Sequence, residues 1–373
     1  MATLTAMPHT SFDQAPFIAI WETTQACALA CQHCRAEADD QHHPDELSTA
    51  EGQALIDQLQ AMGTKVVVFS GGDPLQRDDL EELIRHAVSR GLRVGTIPAA
   101  TERLTRDRVQ SLADAGLHQM AMSLDAASAT AHDGFRGVDG CFERTMTGAA
   151  WAKELQLPFQ INSAFARWNR NQLEPLAALV NELGVVFWEV FFLVPTGRGA
   201  DMAGLQVDDY RQLFASLYAI QQRVPFIVKI TEAPHYRMFV SEAERFRAQG
   251  DLTAAETRIQ NLLARELGPR RSLGQAPGGV NSGKGFLFIS HTGDIQPSGF
   301  LPLTLGNVRR NDIAAIYREH PVLRELRDSQ RLGGRCGRCP YRELCGGSRA
   351  RAYARSGDYL AEDPDCWYQG DGT

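Results

Sequence analysis

The sequence predicts an α/β fold of parallel strands, arranged as a sheet or a barrel, followed by a small cysteine-bearing tail. Three observations carry that prediction. Near-continuous apolar runs of strand length alternate with segments of helical periodicity through residues 1–235, the pattern of parallel strands buried on both faces. The length, 373 residues, suits one large α/β unit with an appendage. The tail from Gly333 to Cys366 has little apolar periodicity but four cysteines, so it needs a staple, and metal ligation supplies one.

The elements follow in order. Phe17–Trp21 reads as a strand, and the helix over Leu47–Met62 starts at a capping box of Ser48 and Glu51. Val66–Ser70 is the second strand, followed by a turn at Gly71–Pro74 and a helix over Asp78–Ser89 closed by Gly91. The unit repeats as Arg93–Ile97 with Thr105–Ala115, Gln119–Leu124 with Phe142–Glu154, Pro158–Phe165 with Gln172–Leu183, and Val185–Val194 with Val207–Gln221. Pro225–Ile230 is one more strand. Beyond it, Glu242–Glu266 is charged and helical in character, Leu273–Gly285 is a Gly-rich linker, and Gly285–Phe300 reads as a hairpin turning at Thr292–Asp294.

Composition narrows the function. Hydrophobic residues at 43% supply a core, and a net charge of −7 argues against a nucleic-acid binder held by counterion release. No run approaches a membrane span, since Val185–Pro195 is short and holds Glu189. The N-terminal stretch lacks a charged-then-apolar signal pattern, so a reducing cytoplasm is expected, and the eight cysteines read as metal ligands in place of disulfides. Cys141, alone between the two clusters, reads as a small buried thiol.

Cys27, Cys31 and Cys34, spaced x3 and x2, follow the first strand, where α/β barrels place their functional loops. Three thiolates in so tight a loop are one ligand short of saturating a four-iron cube, which leaves one iron open for a substrate or cofactor. The alternative is a zinc knuckle completed by His33 or His42. His42 and His43 otherwise read as solvated.

At these residues the sequence resembles the radical S-adenosylmethionine (SAM) superfamily, whose signature is C-x3-C-x2-C after the first strand of a partial (β/α)6 barrel. The resemblance covers most of the chain. Gly71, Gly72 and Asp73 stand where the family has a GGEP motif whose backbone holds the methionine amino group, with Asp73 replacing Glu. Ser123 and Asp125 in SLDA match a position approaching the methionine or ribose part. His132–Phe142 follows HDxxRGxxGxF, which implies Arg136 as partner of the cofactor carboxylate. Asn162, and Val194 in FFLVPTGRG, match strand ends that bracket ribose and adenine. The implied chemistry is reductive cleavage of SAM to a 5′-deoxyadenosyl radical, which abstracts a hydrogen atom; a flavodoxin or ferredoxin is the implied electron donor.

Cys336-x2-Cys339-x5-Cys345-x20-Cys366 satisfies a structural zinc site or an iron–sulfur cluster. By resemblance it is similar to the SPASM/twitch extension of radical SAM enzymes. A full extension has seven cysteines and two auxiliary clusters. Here Ser298 and Ser348 stand at two of the usual cysteine positions, so one auxiliary [4Fe–4S] cluster is implied. The expected division is a barrel over 1–235, a helical and Gly-rich connection over 236–284, and the cluster-bearing extension over 285–373.

The phrasing around both cysteine clusters and TEAPHYR (Thr231–Arg237) resembles the haem-pathway radical enzymes and their uncharacterised relatives. The implied substrate is a tetrapyrrole side chain, with a ribosomally made peptide second and a non-catalytic zinc or iron–sulfur protein as the alternative of another class. Glu232, His235 and Tyr236, with Arg237, fall after the last barrel strand as candidates to bind a carboxylated substrate or supply a proton, against a plain solvated loop. Arg198 is a further carboxylate anchor. Arg335, Arg338, Arg349 and Arg351 shield the auxiliary cluster or dock an electron donor.

Overall fold

Seven parallel strands build the wall of the site: β1 (Ile18–Glu22), β2 (Val66–Ser70), β3 (Arg93–Thr96), β4 (Gln119–Ser123), β5 (Phe159–Phe165), β6 (Phe187–Phe192) and β7 (Ile227–Thr231). They lie side by side in chain order. This computed structural model describes residues 12–264 and 279–368. The N-terminal stretch through residue 11, the Gly-rich linker through residue 278 and the end of the charged segment at 265–266 lie outside the described residues.

Parallel neighbours need crossover connections, and helices 49–62, 80–89, 106–114, 141–154, 173–183 and 207–221 supply them. The six βα units predicted are therefore present. Among the described residues the sheet does not close on itself: β7 forms one edge and a C-terminal strand the other, so the barrel is partial.

That far edge belongs to the C-terminal extension. β8 (Phe286–Ile289), β9 (Asp294–Gln296) and β10 (Gly306–Asn307) form an antiparallel meander, which contains the expected hairpin. β8 also pairs in parallel with β1, Ile18 opposite Phe286 and Trp21 opposite Ile289. The extension thus continues the barrel's own sheet. Two further differences concern helices. Ala129–Arg136 is helical although no helix is expected there, because Gly134 and a single turn of apolar residues leave little periodicity to read. Residues Tyr236–Ser241, the first two of which fall in the expected loop Thr231–Arg237, form another short helix.

Helix 49–62 shows how local signals and packing agree. The Ser48 amide donates to Glu51 Oε2 at 2.8 Å and the Glu51 amide to Ser48 Oγ at 3.4 Å, and Gly63 ends the helix at φ 104°. The helix lies close on the sheet because residue 52 is Gly; a Cβ there would sit 2.4 Å from the Trp21 ring. Glu51 also receives Arg309, Nε to Oε1 at 2.6 Å and Nη2 to Oε2 at 3.0 Å, which ties the cap to the extension. Among the described residues no helix is long and apolar enough to cross a membrane.

The hydrogen bonds from Arg309 and Ser48 hold the Glu51 carboxyl down to about 2, against an ordinary 4.5. A depressed carboxyl stabilises the fold above its unfolded pKa and loses that contribution as pH falls through its folded one. Because the pair is partly exposed, Glu51→Gln costs under about 1 kcal/mol at neutral pH. Urea unfolding should show that gap closing between about pH 4.5 and about pH 2; a gap that persists at the acid end contradicts the assignment.

Candidate functional site

The segment between β1 and helix 49–62 carries the first three cysteines and has no regular secondary structure of its own. Its shape comes from backbone bonds to neighbouring strand ends. After β2, the Gly72 amide donates to Thr24 O at 2.8 Å and the Asp73 amide to Ala26 O at 2.7 Å. From the other side, the Ala30 and Gln32 amides donate to Arg136 O and Phe135 O at 3.1 and 3.0 Å. Arg198 closes the third side, with its amide on Cys34 O at 3.0 Å, Nε on Cys31 O at 2.9 Å and Nη1 on Ala38 O at 2.9 Å. Arg198, read as a carboxylate anchor, therefore spends most of its donors on the cysteine loop, and its Nη2 is buried without a partner.

Held this way, Cys27, Cys31 and Cys34 line one cavity of about 200 Å³. Of the positions implied for the cofactor, Gly71, Gly72, Ser123 and Arg136 line it too. Asp73, Asp125, Asn162 and Val194 do not. Asp73 is fully buried and braces two loops: its carboxylate accepts from the Leu75 amide at 3.1 Å, the Ala99 amide at 3.2 Å and Thr101 Oγ1 at 2.7 Å. Asp125 takes Arg136 Nε at 2.8 Å and Nη2 more closely still, and also the Ala164 amide at 2.8 Å. Arg136 turns its remaining nitrogen to Cys31 Sγ at 3.6 Å. Asn162 accepts from Gln160 at 2.6 Å, and Val194 is buried at the end of the β6 turn.

The electrostatics follow from burial. Burial would lower the Arg136 pKa, but Asp125 and Cys31 hold it above its ordinary value; Arg136 in turn keeps buried Asp125 ionised. His33 and His132 are pushed down to about 4 by burial first and then by Arg136, so both are neutral at pH 7. Burial pushes the Cys27 thiol up to about 12. Such a thiol is no free nucleophile; its thiolate forms when a cation is there to bind it. Of the two histidines of the zinc alternative, His42 turns to Glu46 at 3.0 Å, whereas His33 lines the cavity of the three cysteines, stacked on Phe135 with centroids 4.6 Å apart and with Nδ1 unpartnered.

A second cavity of about 270 Å³ runs inside the barrel and shares Arg35, Ser70, Ile97 and Phe300 with the first. Its walls are mostly apolar, with a polar ladder across the strands. Gln119 donates to Gln160 at 2.6 Å, Gln160 to Glu189 at 3.2 Å, and Glu189 takes Lys229 at 2.7 Å and Thr231 at 2.6 Å. Sequence reasoning missed these residues as site residues, and it missed Arg35, which pairs with Glu22 and lies 4.3 Å over the Phe288 ring. The available signal was a polar residue inside each otherwise apolar strand.

The three candidates after β7 separate. Glu232, at φ 60°, lines the barrel cavity with Arg237, and its carboxyl accepts from Ser348 Oγ in the tail. Burial raises its pKa. Tyr236 lines neither barrel cavity; it is buried, with its hydroxyl donating to Gln221 at 2.7 Å. His235 faces a third cavity, of about 30 Å³, which is lined by Cys336, Cys339, Cys345 and Cys366. Burial pushes Cys345 to about 12 and Cys366 to about 11. Arg349 and Arg351, read as shielding the tail cysteines, are buried there: Arg349 reaches Cys336 Sγ at 3.7 Å, and Arg351 pairs with Asp363 at 3.2 Å.

Residues 21–180 match the family model described as the Radical SAM superfamily. The chain is 38% identical over 368 residues to the AdoMet-dependent heme synthase of Oleidesulfovibrio alaskensis, spanning 97% of this chain and 90% of that one. It is 36% identical over 366 residues to the protein of the same name from Nitratidesulfovibrio vulgaris, spanning 97% and 95%. In fold it is similar to Streptococcus suis SuiB solved with S-adenosylmethionine, with a TM-score of 0.71 over 95% of this chain and 78% of that one at 16% identity.

The loop geometry makes Gly72 and Asp73 the sensitive positions. A Cβ at residue 72 would lie 2.3 Å from Gln25 O and 2.5 Å from Ala26 O, both backbone atoms of the cysteine loop. Gly72→Ala should therefore lower the iron bound at Cys27, Cys31 and Cys34 after anaerobic reconstitution. Asp73→Ala strips three buried donors of their acceptor and should cost about 2–4 kcal/mol in denaturant unfolding, and Asp73→Asn clearly less. Equal effects of the two Asp73 variants would show that the carboxylate does not brace the loops.

Proposed function

The chain belongs to the radical SAM superfamily, as an enzyme of the SPASM-bearing type, and from that premise we propose that it modifies the carboxylated side chains of a tetrapyrrole haem precursor. The observation that carries this reading is the shared wall. The three-cysteine cavity and a larger, mostly apolar cavity inside the barrel have Arg35, Ser70, Ile97 and Phe300 in common, so a substrate bound in the second lies next to the first. The relatives named AdoMet-dependent heme synthase support a tetrapyrrole as that substrate.

The residues fit the groups this chemistry needs. Cys27, Cys31 and Cys34 would hold a [4Fe–4S] cluster with one open iron, since all three line one cavity and three thiolates leave a four-iron cube one ligand short. Such a cluster, with SAM bound to its open iron and one electron supplied, would provide the 5′-deoxyadenosyl radical chemistry for taking a hydrogen atom from the substrate. Arg136, already turned to Cys31, places a positive charge at the cavity wall, and Gly71 and Gly72 leave backbone there with no side chain in the way. Phe286, Phe288, Phe187 and Phe191 offer flat apolar walls to a macrocycle. Lys229, shared with Glu189, and Arg237, which also donates to Val280 O, are cationic side chains in the lining of that cavity that could meet side-chain carboxylates, and Glu232, buried with a raised pKa, can carry a proton there. Cys336, Cys339, Cys345 and Cys366 would hold one auxiliary [4Fe–4S] cluster, because all four face one cavity and none lies on the other two. A flavodoxin or ferredoxin would supply the electron.

Anaerobically reconstituted protein should hold about eight irons per chain, four per cubane. Cys27, Cys31 and Cys34 changed together to Ala should leave about four and abolish 5′-deoxyadenosine formation from SAM and dithionite. Adding iron coproporphyrin III should raise the 5′-deoxyadenosine yield and change the porphyrin's mass. If 5′-deoxyadenosine forms while the porphyrin is returned unchanged, the tetrapyrrole reading fails and a peptide substrate takes its place.

A further inference from the structure

His235 has no use in the barrel cavity, yet it is 1% exposed and neither Nδ1 nor Nε2 has a hydrogen-bond partner. Leaving both nitrogens of a buried imidazole empty costs about 1–3 kcal/mol for each, which native structures rarely accept. Its ring is caged on three sides by Tyr210, Phe214 and Trp367, each with a centroid 5.0 Å away. The open side is the cavity of the four tail cysteines.

Asp363 is the acidic group of that cavity, and its oxygens are already engaged. Oδ2 accepts from the Ser348 amide at 2.7 Å, Oδ1 from Arg351 Nη1 and the Asp365 amide, both at 3.2 Å. The cavity also presents the sulfur atoms of its four cysteines as acceptors. Its backbone already points donors at them: the Asp363 amide lies 3.4 Å from Cys336 Sγ and the Gly347 amide 3.4 Å from Cys345 Sγ. A neutral imidazole carries one N–H and a protonated one two, so at least one donor is available in either state.

We infer that His235 donates a hydrogen bond to a sulfur of the auxiliary iron–sulfur cluster and thereby raises its reduction potential. This rests on the reading that the four tail cysteines hold such a cluster. A donor aimed at a cluster sulfur stabilises the reduced, more negative state, and such outer contacts are a main lever on potential. His235 is then a positioning and tuning residue, and the carboxylated substrate does not touch it.

The test uses the full chain with Cys27, Cys31 and Cys34 changed to Ala, so that the tail cluster alone reports in a redox titration followed by electron paramagnetic resonance. His235→Phe keeps a ring in the cage and removes the donors. At a fixed poise near the parent's midpoint, the ratio of reduced to oxidised cluster should fall about three- to tenfold, as expected for the loss of one hydrogen bond. His235→Gln, which retains an N–H, should recover part of that fall. In the parent chain labelled with ¹⁵N-histidine, the reduced cluster should show a ¹⁵N hyperfine coupling, a reading independent of how any variant at residue 235 folds. An unmoved titration in an iron-loaded His235→Phe chain, or no ¹⁵N coupling in the parent, overturns this inference alone. A tail that binds zinc in place of iron overturns the cluster reading and this inference with it.

Discussion

Three thiols can face one cavity only if the irregular chain that carries them is gripped from several directions, and that requirement organises the barrel mouth. The loop after β1 has no ladder of its own, so its backbone groups are met by the turn after β2, the end of helix 129–136 and the turn after β6. Each grip is local to a strand end. A parallel sheet delivers all of its strand ends to the same side, which is why one loop can be reached by elements more than a hundred residues apart.

Buried charge at the mouth is arranged around the same loop. Asp125 and Arg136 form a nearly dry ion pair. Such a pair adds little net stability, because desolvation consumes most of its attraction, but losing one partner costs about 3–5 kcal/mol. Its effect here is positional: Asp125 also takes the Ala164 amide, and Arg136 reaches Cys31, so the pair joins β5 to the cysteine loop. Asp73 plays the corresponding part between the turns after β2 and β3.

The tail is wired to the barrel in the same manner. Glu232 at the end of β7 accepts from Ser348, the Ser348 amide donates to Asp363, and the Asp363 amide points at Cys336. One side chain of this chain of contacts lines the barrel cavity and another lines the tail cavity. Glu232 is held at positive φ, which a non-glycine residue adopts at a cost of about 1 kcal/mol or more. Ser348, where a cysteine was expected by resemblance, is a hydrogen-bonding member of that connection.

Much of this was legible in the sequence, for reasons that are local. Alternating periods identify βα units because a helix and a buried strand each impose their repeat on neighbouring residues. The capping box at Ser48 and Glu51 and the C-x3-C-x2-C spacing are equally short-range. What stayed hidden depends on partners far apart in the chain. Helix 129–136 has too few residues to show a period, and the polar ladder from Gln119 to Lys229 emerges only when four separate strands lie side by side. By itself the sequence determined the parallel α/β architecture, the two cysteine clusters and the family they belong to. Only the tertiary structure decided that β8 extends the barrel's sheet along β1, that Arg198 grips the cysteine loop, and that His235 faces the tail cysteines while Glu232, three residues earlier, faces the barrel. Periodicity tells which side of an element is buried; it carries no information about which distant element does the burying.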